Sequence, residues 1–171
     1  QGGRQVRNKR EHGTIYDHHT VEFEYDNGMR ILSQCCQIGG KCQKDVSEHF
    51  HGTRGIANLA ANGRFLIKGQ PPGGKRTRNK ADAYQLEHDA FFENIRTGKV
   101  RNDAEYAAYS SMMGVMGRMA TYTGQIITWD QAFNSTESLV PDNITWNTEP
   151  PVKPDADGWY PVAIPGTTMP V

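Results

Sequence analysis

The sequence is short of charge imbalance, of long apolar runs and of cysteine, and each shortage removes a class of function. Its 171 residues carry 19 basic and 19 acidic side chains, a formal net charge of zero. Dedicated nucleic-acid binders bring a basic excess to the phosphate backbone, so no nucleic-acid partner is expected. No apolar stretch approaches the roughly 20 residues that a membrane-spanning helix needs, so no membrane partner is expected either. Hydrophobic types make up only 36% of the chain, and the mean hydropathy is -0.70. The three cysteines, Cys35, Cys36 and Cys42, are an odd number, and neighbours on a strand point to opposite faces. They read as free thiols, with a Cys36–Cys42 bridge as the alternative. Eighteen glycines and nine prolines fall below the share that marks a disordered chain. Neither a Met nor a signal peptide opens the sequence, which reads as starting inside a longer polypeptide.

Enzyme motifs are lacking as well. There is no G-x-G-x-x-G between a strand and a helix, no P-loop, no G-x-S-x-G and no H-E-x-x-H. The glycines of Gly69-Gln-Pro-Pro-Gly-Gly74 run into cations rather than into a buried helix. The chain is therefore expected to bind no nucleotide cofactor by itself.

What is present divides into blocks. Residues 1–68 read as β structure. Ile15, Val21, Phe23 and Tyr25 share one alternation phase, and Tyr16, His18, Thr20, Glu22 and Glu24 share the other. Asp26-Asn27-Gly28 predicts a tight turn into a returning strand over 29–38. A strand over 46–51, a turn at Gly52–Gly55, a strand over 56–60, a turn at Asn62-Gly63 and a strand over 64–68 complete an antiparallel meander with one apolar and one polar face. Residues 69–80 read as a Gly/Pro-rich basic loop, either self-solvating or anion-binding.

Residues 82 to about 134 read as helical. Tyr84, His88, Phe91 and Ile95 recur at helical spacing between a capping signal at Asp82 and a stop at Gly98. A second helix opens at 102–105 and ends at Gly124, with Gly114 and Gly117 explained by close packing on a sheet. Thr128 to Phe133 predicts a short third helix. Beyond Ser135 lie most of the prolines and no periodic pattern, which predicts an extended tail on the surface. The predicted class is α+β: an open, mainly antiparallel sheet over 1–135 with two long helices covering one face, then a tail over 136–171. His88 reads as facing the sheet.

The six histidines concentrate chemistry on strands. His18 and His19 lie on one, and His49 and His51, two apart and so on one face, lie on another. With a cysteine they could hold a metal, though the spacing fits no standard zinc pattern. The mix of His, Glu, Gln and Arg also suits a hydroxylated ligand, and plain structural hydrogen bonding is the third reading.

Several strings in order resemble one family. They are Gly2-Gly-Arg-Gln-Val-Arg7, Ile15-Tyr-Asp-His18, Val21-Glu-Phe-Glu-Tyr25 with Asn27-Gly28, Val46-Ser-Glu-His49, Gly52-Thr-Arg-Gly55, Glu87-His88, Gly117-Arg-Met-Ala-Thr-Tyr-Thr-Gly124 and Ile127-Thr-Trp-Asp130. Together they resemble the C-terminal domain of the glucose–fructose oxidoreductase / inositol dehydrogenase / rhizopine-catabolism (Gfo/Idh/MocA) oxidoreductases, over nearly the whole chain. The resemblance implies a parent enzyme with an N-terminal Rossmann domain that holds NAD or NADP. Its C-terminal part would supply the substrate face and much of the oligomer contact. The implied chemistry is hydride transfer at a sugar or polyol hydroxyl.

The family's catalytic Lys, and the helix bearing its Asp/His pair, correspond to positions before Gly2. Asp17-His18 matches that pair in letters only, so no catalytic role passes to any residue here. For substrate binding the candidates are Arg4, Gln5, Arg7, His18, Glu48 and His49, whose long polar side chains suit hydroxyl or carboxylate groups. The fragment alone is expected to be inactive. The alternative is a non-catalytic module that binds or forms homo-oligomers through its open sheet face. The compartment stays open between cytoplasmic and exported.

Overall fold

The computed structural model describes residues 1–60, 64–69, 75–78 and 82–169. Its elements in chain order are β1 (Gly2–Gly3), a single 3-10 turn (Arg10–His12), β2 (His18–Glu24), β3 (Arg30–Cys36), β4 (Ser47–Gly52), β5 (Gly55–Ala60), β6 (Arg64–Gly69), β7 (Lys75–Arg78), α1 (Ala83–Thr97), α2 (Ala104–Thr123) and α3 (Trp129–Phe133). The class is α+β. The chain forms two compact units, Gln1–Gly40 with Asp103–Val171, and Lys41–Asn102. The strands accordingly make two sheets rather than the one expected: β1-β2-β3 in the first unit and β4-β5-β6-β7 in the second.

In the first unit the β2–β3 hairpin closes at Gly28, whose φ of 79° is a left-handed conformation that glycine adopts at no steric cost. Register places His18 opposite Cys36, Thr20 opposite Gln34 and Glu22 opposite Leu32. On the other face, Val21 and Phe23 meet α2 at Gly117. A Cβ there would stand 3.3 Å from Phe23 Cζ and 3.5 Å from Val21 Cγ2, so glycine lets helix and sheet close. Gly114 has no such neighbour, and close packing does not explain it. Met119, Ile127 and Ala132 form the buried core, with Met112, Met116 and Ala120 packed around them.

Helix ends follow the sequence signals except at the start of α2, where the N-cap is Asp103 rather than Asn102. Asp82 accepts from the N–H groups of Tyr84 and Gln85 at the start of α1, and Thr128 and Gln131 form a complete capping box at α3. Gly98 and Gly124 end α1 and α2 in left-handed conformations, with φ of 67° and 71°. After Phe133 the described chain has no further helix or strand. Its end is tied to the first unit. The Gly166 N–H donates to the Thr123 carbonyl at 2.6 Å, and the Arg10 guanidinium lies 5.4 Å from the Trp159 ring centre.

In the second unit β4, β5, β6 and β7 run as an antiparallel meander. The segment expected to be a basic loop therefore holds a strand at Lys75–Arg78. Its remainder, and the Asn62-Gly63 turn, lie outside the described residues. The expectation that both long helices cover a sheet face holds for α2 alone among the described residues. Within its own unit none of β4–β7 packs on α1 among the described residues, and its stripe stays open, Tyr84 at 77% and Ile95 at 60% exposure. Helical periodicity reports that a face is apolar and says nothing about what covers it. His88 is likewise exposed, bonded through Nδ1 to the Tyr84 carbonyl one turn back at 2.7 Å rather than across to a sheet.

Candidate functional site

The densest polar arrangement surrounds Asp17, in the first unit. Between β1 and β2 the chain makes a loop whose interior is filled by the Arg4 guanidinium. It donates to the carbonyls of Arg7 at 2.5 Å, Gly13 at 3.1 Å and Lys9 at 3.5 Å. The same loop turns three consecutive N–H groups onto one carboxylate oxygen. Asp17 Oδ2 accepts from Gln5 at 2.7 Å, Val6 at 2.7 Å and Arg7 at 2.9 Å. Asp17 is only 1% exposed. Burial alone would raise its pKa, but the three N–H donors and His18 together outweigh that and hold the carboxyl well below the usual range.

The other oxygen, Oδ1, meets His18 Nδ1 at 2.7 Å. An ionised carboxylate only accepts, so Nδ1 carries the proton and a neutral ring presents its lone pair at Nε2. The His18 side chain is 41% exposed. Asp17 and His18 thus form a braced pair, with the acid buried and the imidazole half open to solvent.

The adjacent His19 points to the opposite face. Its Nδ1 lies 3.0 Å from Thr121 Oγ1. That hydroxyl donates its one proton to the Arg118 carbonyl at 3.0 Å, which leaves His19 Nδ1 as the donor between them. Tyr122 stacks on Tyr16 with ring centres 4.2 Å apart and lies 6.1 Å from the His19 ring. The Arg118 guanidinium covers Tyr122 at 4.5 Å. Burial, then the neighbouring His18, lowers the His19 pKa. Burial, then Tyr122, raises that of Tyr16. The Tyr16 hydroxyl donates to the Ala163 carbonyl at 2.7 Å. Tyr16, expected on the open polar face, is thus buried at 7% exposure, because it precedes β2 and escapes the strand's alternation.

The six candidates separate. Arg4, Gln5, Arg7 and His18 come together around Asp17, where Gln5 and Arg7 contribute backbone N–H groups and Arg4 braces the loop. Glu48 and His49 belong to the second unit. His49 Nδ1 donates to Asn58 Oδ1 at 2.8 Å and its Nε2 accepts from the Ser47 hydroxyl at 3.1 Å, so both ring nitrogens are engaged. Glu48 is exposed on β4, opposite Leu59. Among the described residues no three His, Cys, Asp or Glu side chains are grouped to hold a metal. Cys35, Cys36 and Cys42 are free and exposed, as the sequence indicates.

Sequence reasoning set Asp17 aside as a match in letters only, and it counted none of Asp17, Tyr16, Thr121 and Tyr122 among the candidates. The readable signal was an acid immediately before the strand that carries His18. A shallow cleft of about 250 Å³ lies nearby, between β2 and the end of α2, lined by Val21, Phe23, Met116, Ala120 and Ile127 among others. No family model matches the chain, and no curated protein and no solved structure does so either.

Proposed function

We propose that this chain is the C-terminal substrate-binding and assembly domain of an NAD(P)-dependent oxidoreductase of the Gfo/Idh/MocA type, acting on a sugar or polyol hydroxyl. The observation that carries the reading is the two-sided character of β1–β3. Helix α2 covers one face, while His18, Thr20, Gln34 and Glu22 stand on the other as a polar surface. That division agrees with the ordered strings that resemble the family.

The residues present do not fit the dinucleotide. A nucleotide crevice needs parallel strands around a glycine-rich turn that opens a helix, and every described strand pair is antiparallel. In this reading a Rossmann domain elsewhere in the parent polypeptide would hold the cofactor and supply the hydride chemistry. This chain binds and orients the hydroxylated carbon, and the parent assembles through the open sheet face.

Fluorescence titration with NADH tests the division of labour. The parent polypeptide is expected to bind NADH and the 171-residue chain is not. Saturable binding by the shorter chain overturns the reading. A second reading, a non-catalytic oligomerisation module, is favoured by the exposure of Leu32 on the same open face. Light scattering that shows dimers, together with a parent that never binds NADH, would select it.

A further inference from the structure

The open face of β1–β3 contains an imidazole with one nitrogen fixed and one unused. His18 Nδ1 is committed to Asp17 at 2.7 Å, and among the described residues Nε2 has no hydrogen-bond partner. The acid cannot turn away to serve anything else, because its second oxygen is held by the N–H groups of Gln5, Val6 and Arg7.

Gly3 supplies an independent observation. It pairs with His18 in the sheet, and its φ lies outside the left-handed range, so its backbone does not require glycine. What a side chain would meet there is the ring itself. A Cβ on Gly3 would stand 3.3 Å from both His18 Cε1 and Nε2. The missing side chain leaves uncovered the edge that carries the lone pair. Gly2, by contrast, is small for packing, since its Cβ would come within 3.0 Å of Thr121 Cβ.

We infer that His18 Nε2 is the hydroxyl-accepting atom of this face, taking the O–H of a polyol or sugar through the gap left by Gly3, with Asp17 as the positioning residue. The inference deepens the proposed function and rests on it for the ligand class. A fixed Nδ1–H tautomer offers a lone pair, which attracts an O–H donor and repels a carboxylate or phosphate oxygen. Along the strands, Arg30 is engaged by both Glu22 at 2.8 Å and Glu24 at 3.3 Å.

Long-range proton–nitrogen NMR on the labelled 171-residue chain at mildly alkaline pH tests this, with inositol as the polyol probe and acetate as the anion control. The expected spectrum shows His18 as the Nδ1–H tautomer, with Nε2 and Cε1–H shifting on addition of inositol and not of acetate. Gly3→Ala should weaken that response about fivefold or more, the equivalent of one neutral hydrogen bond, without altering the tautomer. Asp17→Asn should reverse the tautomer to Nε2–H, because the amide oxygen stays with the three N–H groups and its NH2 turns to Nδ1. Retained dispersion of the backbone amide signals shows in the same sample that the chain is still folded. An Nε2–H tautomer in the unaltered chain, acetate acting as well as inositol, or a Gly3→Ala chain that responds normally would overturn the inference. These outcomes are separate from NADH binding, which decides the proposed function itself.

Discussion

Replacing Asp17 by Asn removes one charge and almost no volume, so it isolates what the buried carboxylate contributes. Its four partners are the N–H groups of Gln5, Val6 and Arg7 and the ring of His18. A hydrogen bond to an ionised group is worth about 1 kcal/mol more than a neutral one, which sets a ceiling of about 4 kcal/mol. Two effects lower it. The neutral amide is cheaper to bury, and the carboxylate lies beneath only the thin 4–7 loop, where solvent screens it. The expected loss for Asp17→Asn is therefore about 2 kcal/mol at neutral pH.

The sign of the pH dependence follows from the depressed pKa. The unfolded carboxyl takes up its proton near 3.8 and the folded one only at lower pH. The stabilisation is thus complete well above pH 3.8 and declines as the pH falls below that value. Urea unfolding of both proteins at neutral and at acid pH measures this. The gap between them should be wide at neutral pH and narrow in acid. A gap that is absent, or equal at both pH values, would refute the assignment of charge to the buried pair.

Four further outcomes follow from packing and titration. Gly117→Val should lower stability by about 1–3 kcal/mol through overpacking against Phe23 and Val21. Gly114→Ala, in open space within α2, should raise it by about 0.5–1 kcal/mol, and thermal unfolding that ranks the two in reverse would contradict the fold. Gly124→Ala should cost at least about 1 kcal/mol, because its φ is 71° and a Cβ would stand 2.8 Å from Pro165 Cβ. Limited proteolysis should show the 160–169 segment released. The pKa of His19 is lowered from 6.5, so the unfolded chain protonates first as the pH falls. Its contribution is full above pH 6.5 and declines below it, and a His19→Phe chain should have a flatter stability profile across that interval in urea titrations.

Local chemistry was legible in the sequence, and its tertiary use was not. Asn27-Gly28, Asp82, Gly98, Gly124 and the Thr128–Gln131 box act over a few residues, so their letters determine their geometry. Gly117 was also readable, because a glycine inside a helix needs an outside reason. The division into two sheets was not, since each hairpin satisfies the same alternation whichever sheet it joins. Asp17 was set aside because its pairing with His18 matched the family in letters only, and its other three partners are backbone N–H groups, which every residue possesses and no motif records. Arg4 and His49 had the right chemistry for a ligand, but carbonyls of the loop and neighbours across the strand take up their polar atoms. His18 and His19 look alike in sequence, and only the strand's two faces make one a surface group and the other a helix partner.

The most direct test of the account follows the near-ultraviolet absorbance of reduced nicotinamide while a panel of polyols and sugars is offered with NAD or NADP. The parent polypeptide should reduce the cofactor with at least one of them, and the 171-residue chain with none. Turnover by the shorter chain alone, or a parent inert toward every hydroxylated substrate with either cofactor, would contradict it.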